Sequence, residues 1–303
     1  MMPEAIAAAF REACLIELRA LKPGNVHIYA DGHRMTVADF EASAEAAAPH
    51  IAARGAPVGA RILGAVKATR ERTGQNTNLG IILLCAPLAA AAAMMAKSCD
   101  GGELAPPSPG RVSDRVRGEP QAASFDLREA LASVLAALDI HDAALAFQAI
   151  ALANPGGLGT DAEHDVRDAA RITLLDAMRA AAHRDHIACQ YATGFAGIFD
   201  ACVSPMPDHA TLPAMAERIY WHFLTHIPDS HIVRKFGAET AEDIRSAACD
   251  MDRRLAALPE GQERRSLLLG FDSELKSRGI NPGTSADLTV AALFANAVQR
   301  NLG

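Results

Sequence analysis

Apolar residues recur along most of the chain at intervals of three and four positions, which is the spacing of one face of an α-helix. Near the start, Ile6 and Phe10 lie on such a face, and Pro23 predicts where that helix ends. Similar apolar stripes occur over residues 127–138, 216–227 and 288–298. Strand-like alternation is hard to find. The pattern therefore predicts an all-α fold, with a single multi-helix globular domain over residues 1–303.

Two segments interrupt this regular pattern. The stretch from Ile81 to Ala96 is apolar almost throughout, but it contains Pro87 and is shorter than the ~20 residues that a membrane-spanning helix needs. We interpret it as a helix buried in the core, and we expect no membrane association. Residues 99–123 are rich in glycine, proline, serine and charge and lack apolar periodicity, which predicts a long flexible loop.

Composition narrows the class of protein. Half of the residues are hydrophobic and few are aromatic, which suits a helical core rich in alanine. The formal net charge of −7 argues against a general nucleic-acid binder, which would carry a basic surface. The six cysteines contain no Cys-x-x-Cys pair, so we expect free thiols in a reducing compartment. The amino terminus lacks the basic segment of a signal peptide, and we expect a cytoplasmic protein.

The most informative polar segment is the turn Asn76-Thr77-Asn78-Leu79-Gly80, which directly precedes the buried apolar helix. Its amide and hydroxyl side chains can hydrogen-bond a polar ligand, and Gly80 lets a ligand approach the backbone. Asn76, Thr77 or Asn78 could also simply cap the helix. Because two amides exceed what a cap requires, we expect Asn76 and Asn78 to contact ligand, with Asn76 serving catalysis. Four other polar turns adjoin predicted helices, at residues 22–25, 154–159, 228–231 and 281–284.

The strongest cluster of charge begins at Asp229 and Ser230 and continues to Arg234 and Lys235. Two cations within two helical turns of a carboxylate suit a polyphosphate and its divalent metal, because cations bind phosphate oxygens while the carboxylate binds the metal or accepts a proton. The alternative is a solvated helix start in which Asp229 or Ser230 is the cap. We predict that Arg234 and Lys235 bind the polyphosphate and that Ser230 lines the same site.

Weaker signals come from the other turns. Lys22 and Gly24 form a rigid turn after the first helix, where the ammonium could meet a phosphate or, equally, complement the helix dipole. Asp165 falls in the first turn of a predicted helix, where an acid usually stabilises the dipole. Thr284 and Asp287 match a capping box, which gives Asp287 a structural explanation. Thr284 remains a predicted ligand contact.

Four motifs in order resemble the triphosphoribosyl-dephospho-CoA synthase family. They are Lys-Pro-Gly at 22–24, Asn-Thr-x-x-Gly at 76–80, Asp-Ser-x-Ile-x-Arg-Lys at 229–235 and Pro-Gly-Thr-x-Ala-Asp at 282–287. The resemblance covers nearly the whole chain apart from the predicted loop. It implies a transferase reaction in which the 2′-hydroxyl of dephospho-CoA attacks the anomeric carbon of ATP. Adenine leaves, and the triphosphate stays on the transferred ribose.

The implied chemistry needs a metal and cations at the triphosphate and a base for the hydroxyl. We predict that Asp165 and Asp229 lie nearest the triphosphate and hold Mg²⁺, which binds through one or two carboxylates and phosphate oxygens. Asp229 is also the first choice for the base, because the neighbouring cations would keep it ionised. Asp185 and Asp287 are the carboxylates held in reserve.

The motifs specify the nucleotide more closely than the acceptor, because two turns depart from the pattern of the enzymes that serve citrate lyase. Those enzymes carry Lys-Pro-Gly-Leu-Val-Asp and Asn-Thr-His-Lys-Gly, whereas this chain has Lys-Pro-Gly-Asn-Val-His and Asn-Thr-Asn-Leu-Gly. The chain looks closer to an archaeal and methylotroph-type branch of the family. A pterin-type acceptor in tetrahydromethanopterin-type cofactor biosynthesis is therefore one alternative. A non-catalytic nucleotide-binding protein is another, and a homo-oligomer is left open.

Overall fold

The computed structural model describes residues 1–100, 126–154, 171–203, 212–259 and 261–301, except for the side chains of 96–100 and 203. These ranges form fourteen helices and no β-strand, which confirms the all-α prediction. The predicted loop at 99–123 falls almost entirely outside the described residues, as do Asp165 and most of the 154–159 turn.

The helix bounds follow the apolar pattern closely. They are α1 Pro3–Arg19, α2 Val37–Ile51, α3 Val58–Thr73, α4 Leu79–Asp100, α5 Leu127–Ala136, α6 Ile140–Ala153, α7 Leu174–Ala181, α8 His186–Ala192, α9 Ala196–Val203, α10 Leu212–His226, α11 Ser230–Phe236, α12 Ala238–Ala256, α13 Gln262–Ser277 and α14 Gly283–Arg300.

Local chemistry explains where several helices begin. Pro3 occupies the first turn of α1, where a residue without an N–H costs nothing. Thr36 and Asp39 form the capping box of α2, each side chain bonding the backbone of the other. Asp139 and Asp142 form an equivalent box at α6. These reciprocal hydrogen bonds satisfy N–H groups that have no partner within a helix.

The last helix, α14, is the centre of the fold. It packs against α1, α4, α9 and α10, and most of its residues are buried. The stretch 81–92 of α4 is almost entirely buried too, as predicted from its composition. Alanine is frequent at these contacts, and its small side chain lets the helices approach closely. The start of α14 is therefore held by helices from both halves of the chain.

One sequence prediction is wrong at this point. Thr284 and Asp287 do not form a capping box, because the cap position of α14 is Pro282 and no side chain bonds the first turn in that way. The Thr284 hydroxyl instead faces α11, where it contacts Ser230 Oγ and accepts from the His231 N–H. The Asp287 carboxylate is therefore left without its expected structural role.

Among the described residues, no single helix has the length and apolar composition to cross a membrane, although α5 and α6 together meet those criteria across a 95° bend.

Candidate functional site

The first and last polar turns of the chain lie against each other. Gly24 has a φ of +84°, and a Cβ there would lie 2.8 Å from Pro282 Cδ, so only glycine fits both the backbone and the space. Asn25 Nδ2 donates to Asn281 Oδ1 at 2.9 Å, and the Gly24 N–H donates to Asp272 Oδ1 at 2.8 Å. Gly24, predicted to contact ligand, thus packs the turn onto the start of α14.

Lys22 is fully buried inside this turn. Its ammonium donates to Glu17, to Asn25 Oδ1 at 3.0 Å and to the Val26 carbonyl at 2.9 Å. These contacts use all three of its donors. Burial lowers the pKa of Lys22 and raises that of Glu17, and each group's charge opposes the shift of the other. In this arrangement the ammonium has no donor left for a phosphate. The predicted contact of Lys22 with phosphate stays a prediction.

Asp229 ties the start of α11 to the start of α14. Its Oδ1 accepts from the N–H groups of His231 and Ile232, and its Oδ2 accepts from the N–H and the hydroxyl of Ser285. Four donors fill the four acceptor positions of a carboxylate. Burial raises the pKa of Asp229, and these hydrogen bonds work against that rise. Because these contacts join α11 to α14, Asp229 has a structural role in addition to any role in catalysis.

The two amide side chains of the turn before α4 differ in their hydrogen-bond contacts. Asn76 Oδ1 accepts from the Leu79 N–H at 3.3 Å and so caps the helix. The Thr77 hydroxyl donates to Ser43 Oγ at 2.6 Å. Asn78 is only 5% exposed, and its Nδ2 has no hydrogen-bond partner among the described residues. The Asn78 amide is therefore free to bind a ligand, whereas the other two side chains hold the turn.

Asp287 lies directly against this turn. A Cβ placed on Gly80 would be 2.1 Å from Asp287 Oδ2, so glycine at position 80 makes room for the carboxylate. Within the described ranges, Asp287 forms neither a hydrogen bond nor an ion pair. Burial, followed by the charges of Asp229 and Glu17, raises the pKa of Asp287 well above its ordinary value. Among the described residues, Asp287 therefore lies without a partner of opposite charge beside two other acids.

Two histidines complete the same surface. The ring of His231 lies over Gly283, where a Cβ would be 3.1 Å from Nδ1. Burial, aided by Lys235 and Arg234, lowers the pKa of His231 to about 3, so its imidazole is neutral. Its Nε2 is buried without a partner in the part of the chain that the structure describes, and so is Nδ1 of His186. The His186 N–H donates to Ser230 Oγ at 3.3 Å, which places the start of α8 against the start of α11.

Gly283 and Asp287 are one turn apart on α14, so the contacts with α11 and α4 fall on one face of that helix. We call the groups on this face the open cluster: Asn78, His186, His231 and Asp287. We call the neighbouring polar groups whose side chains bond one another or the backbone the engaged cluster: Glu17, Lys22, Asn25, Asp229 and Ser285. The positive ends of the long helices α4 and α14 meet here too.

The predicted cations border the open cluster. Arg234 Nη1 pairs with Asp185 Oδ2 at 2.7 Å, and both side chains are about one quarter exposed. Lys235 is exposed and forms no ion pair within the described ranges. Their effect on the pKa of His231 shows that both charges lie near its ring. A ligand with several negative charges could reach these cations from solvent.

The sequence analysis did not single out His186 or His231 as site residues, and it held Asp287 only in reserve. Asp287 had been explained by the capping box, and the histidines carry no spacing that marks a site. Only the contacts of Asp287 with Gly80 and of His231 with Gly283 bring them together. Asp165 lies outside the described residues.

Two cavities among the described residues lie elsewhere. One of about 240 Å³ lies between α9, α10 and α13, beside His222 and Arg264. The other, of about 730 Å³, lies beside α1, between Arg11 and Leu212. The open cluster is instead a compact set of side chains at the helix starts.

Comparison with known proteins identifies the family of the chain. The family model described as ATP:dephospho-CoA triphosphoribosyl transferase (CitG) matches residues 3–303. The chain belongs to this family, and it is a transferase. The activity of the family is triphosphoribosyl transfer from ATP to dephospho-CoA.

A crystal structure from Archaeoglobus fulgidus, of a provisionally named triphosphoribosyl-dephospho-CoA synthase, shares the fold. The TM-score is 0.61 and the identity 24%, over 85% of this chain and 98% of that one. No functionally curated protein matches the chain.

Proposed function

We propose that the open cluster is the nucleotide site of a triphosphoribosyl transferase that acts on ATP and dephospho-CoA. One observation carries this proposal: three buried polar atoms at the starts of α4, α8 and α11 lack partners among the described residues. A buried polar atom without a partner costs about 1–3 kcal/mol. Several such atoms beside one face of α14 are accounted for when a polar ligand binds them.

The triphosphate would lie at the starts of α4 and α14. The positive ends of the two helix dipoles favour anions there. Arg234 and Lys235 supply positive charge from α11, and Arg234 can keep one of its five donors on Asp185 while others bind phosphate. Thr77, Ser230 and Thr284 hold the walls of this region through their hydroxyl contacts.

The nucleoside would be recognised by neutral groups. His231 has a pKa of about 3, so at neutral pH it offers one donor and one acceptor without bringing a charge to the departing base. The Asn78 amide offers two donors. During the reaction these residues orient ATP, and the acceptor hydroxyl attacks its anomeric carbon as adenine leaves.

We infer that Mg²⁺ enters with ATP and is held mainly by phosphate oxygens and water. No group of three His, Cys, Asp or Glu side chains suited to a cation occurs within the described ranges. Asp229, predicted as a metal ligand, has its acceptor positions filled by four hydrogen bonds and so does not fit that role. The described residues therefore do not fit a metal site preformed by the protein.

The acceptor is proposed to be dephospho-CoA, as the family activity implies. The two departures from the citrate-lyase pattern have different structural meanings. His27 is buried in the 22–27 turn, where its Nε2 lies 3.3 Å from Asp272 Oδ1, and it is not a member of the open cluster. Asn78 belongs to that cluster, so its identity bears on the substrate. A pterin-type acceptor remains the alternative, and we infer a cytoplasmic location from the acidic composition and free thiols.

The test combines purified protein, ATP and Mg²⁺ with dephospho-CoA or a pterin precursor, and measures adenine release and product mass. We expect adenine and a triphosphoribosyl product with dephospho-CoA only. If product forms with the pterin precursor and not with dephospho-CoA, the acceptor is a pterin. ATP binding without adenine release in either mixture would favour the non-catalytic alternative. Gel filtration of the same sample determines whether the protein is a homo-oligomer.

Arg234→Ala tests the polyphosphate contact. A charge-assisted hydrogen bond contributes about 1.5–3 kcal/mol, so affinity for ATP in calorimetry should fall at least about ten-fold. Arg253→Ala is the matched control, because Arg253 is exposed on α12 and pairs only with its helix neighbour Asp250 among described residues. Unchanged ATP affinity in a folded Arg234 variant would remove this contact.

A further inference from the structure

We propose that Asp287 is the catalytic base that accepts the proton of the attacking hydroxyl, an inference that rests on the proposed function. Its carboxylate faces the start of α4 across Gly80, and it forms no hydrogen bond or ion pair in the part of the chain that the structure describes. The other carboxylates of the site are occupied, Glu17 by Lys22, Asp185 by Arg234 and Asp229 by four donors.

The position of Asp287 on α14 supports this role. It lies one turn beyond Gly283, over which the His231 ring is placed, so the carboxylate and the imidazole line the same face. A nucleoside held by His231 would present its sugar to the neighbouring position on that face. The acceptor hydroxyl must approach the same sugar, which brings it within reach of Asp287.

The surroundings of Asp287 make it a stronger base than an ordinary carboxylate. Burial and the charges of Glu17, Asp185 and Asp229 raise its pKa, and only Arg234 and Lys22 oppose them. The thiols of Cys14 and Cys85 also face it and remain neutral. A base transfers protons best when its pKa is close to the working pH.

The proposed step is balanced. The acceptor O–H bond breaks, and its proton passes to the carboxylate of Asp287. The oxygen forms a bond to the anomeric carbon, while the bond from that carbon to adenine breaks and its electron pair leaves with adenine. The departing base takes up that proton from Asp287, directly or through a water molecule that relays it, and Asp287 returns to its ionised form.

Asp287→Asn is the principal test, with Asp243→Asn on the exposed face of α12 as the control. General base catalysis contributes about 10²–10⁴-fold, so kcat for adenine release should fall at least about 100-fold with ATP affinity retained. The variant should be no less stable than the wild type, because the substitution removes a carboxylate that has no partner among the described residues and that the neighbouring acids repel. For the wild type, kcat/KM should fall as the pH drops through the raised pKa, and the residual activity of the variant should lack that fall.

A second variant covers the case in which Asp287→Asn does not fold. Gly80→Ala keeps the carboxylate but places a methyl group 2.1 Å from Oδ2, so the carboxylate must shift and kcat should fall while ATP still binds. Near-normal kcat in either folded variant would overturn the proposal. So would an Asp287→Asn protein that loses affinity for ATP with Mg²⁺ but not for ATP with EDTA, since Asp287 would then be a metal ligand. Wild-type protein without adenine release would instead refute the proposed function.

Discussion

The engaged cluster and the open cluster lie side by side at the start of α14, and they differ in one respect. In the engaged cluster each polar side chain has at least one partner, and Lys22 uses all three of its donors on Glu17, Asn25 and Val26. In the open cluster Asn78, His186 and His231 leave buried atoms without partners in the described structure. Both clusters contain residues from motifs of the family. The comparison separates motif residues that build the fold from those that are available to substrate.

The difference has an energetic meaning. A hydrogen bond contributes about 1 kcal/mol net, whereas a buried group that loses its partner costs about 1–3 kcal/mol. Changes in the engaged cluster should therefore lower stability, and changes in the open cluster should lower binding or catalysis at little cost in stability. Measuring both quantities for each variant tests the division directly.

The largest effect is expected at Lys22. Lys22→Met leaves Glu17 buried without its cation, and breaking a buried ion pair costs about 3–5 kcal/mol. We expect a loss of that size in the free energy of unfolding, measured by urea denaturation. The double variant Glu17→Gln/Lys22→Met removes both charges and should recover most of the stability.

The opposite result at Lys22 would break the comparison. If Lys22→Met is as stable as the wild type but binds ATP much more weakly, then Lys22 contacts phosphate, as one interpretation of the sequence predicts. Lys22 would then belong with the residues available to substrate.

A smaller loss is expected from Asp229→Asn. The NH₂ group of the asparagine would replace one carboxylate oxygen and would face the donors that this oxygen now accepts from. Those buried donors would then have no acceptor. We expect a loss of about 2–3 kcal/mol in unfolding free energy. Asp243→Asn again serves as the exposed control. An Asp229→Asn protein of normal stability and no turnover would instead support the direct chemical role that the sequence analysis predicted.

The smallest effects come from the two amides of the 76–80 turn, which form a matched pair. Asn76→Ala removes a cap and should cost about 1 kcal/mol of stability. Asn78→Ala removes an amide without a partner, so its stability should be unchanged, while ATP affinity falls by about ten-fold for the loss of one ligand hydrogen bond. Equal effects of the two variants on both quantities would contradict the division between the clusters.

Much of the fold could be predicted from the sequence. The apolar faces of α1, α5, α10 and α14, the buried α4 and the capping box at Thr36 all follow from local spacing and local hydrogen bonds. The candidate site followed only in part. The 76–80 and 229–235 segments were identified, but the roles within them were not, because a polar residue at a helix start can cap or bind ligand equally well.

Asp287 shows why local spacing was insufficient. Thr284 and Asp287 have the three-residue separation of a capping box, yet Thr284 bonds across to α11 and Asp287 faces Gly80 on α4. The competing partners belong to other helices and are more than fifty residues away in the chain. The spacing of residues within one helix does not predict partners on other helices.

The sequence by itself determined the helices, the family motifs and the charges available at the turns, because helix periodicity, capping and residue chemistry act over a few neighbouring positions. Only the tertiary structure decided which polar groups are satisfied. Packing of α1, α4, α11 and α14 supplies partners to Lys22 and Asp229 and withholds them from Asn78, His231 and Asp287. The physical reason is that desolvation and hydrogen bonding in a buried site depend on what lies across the interface, which local sequence does not specify.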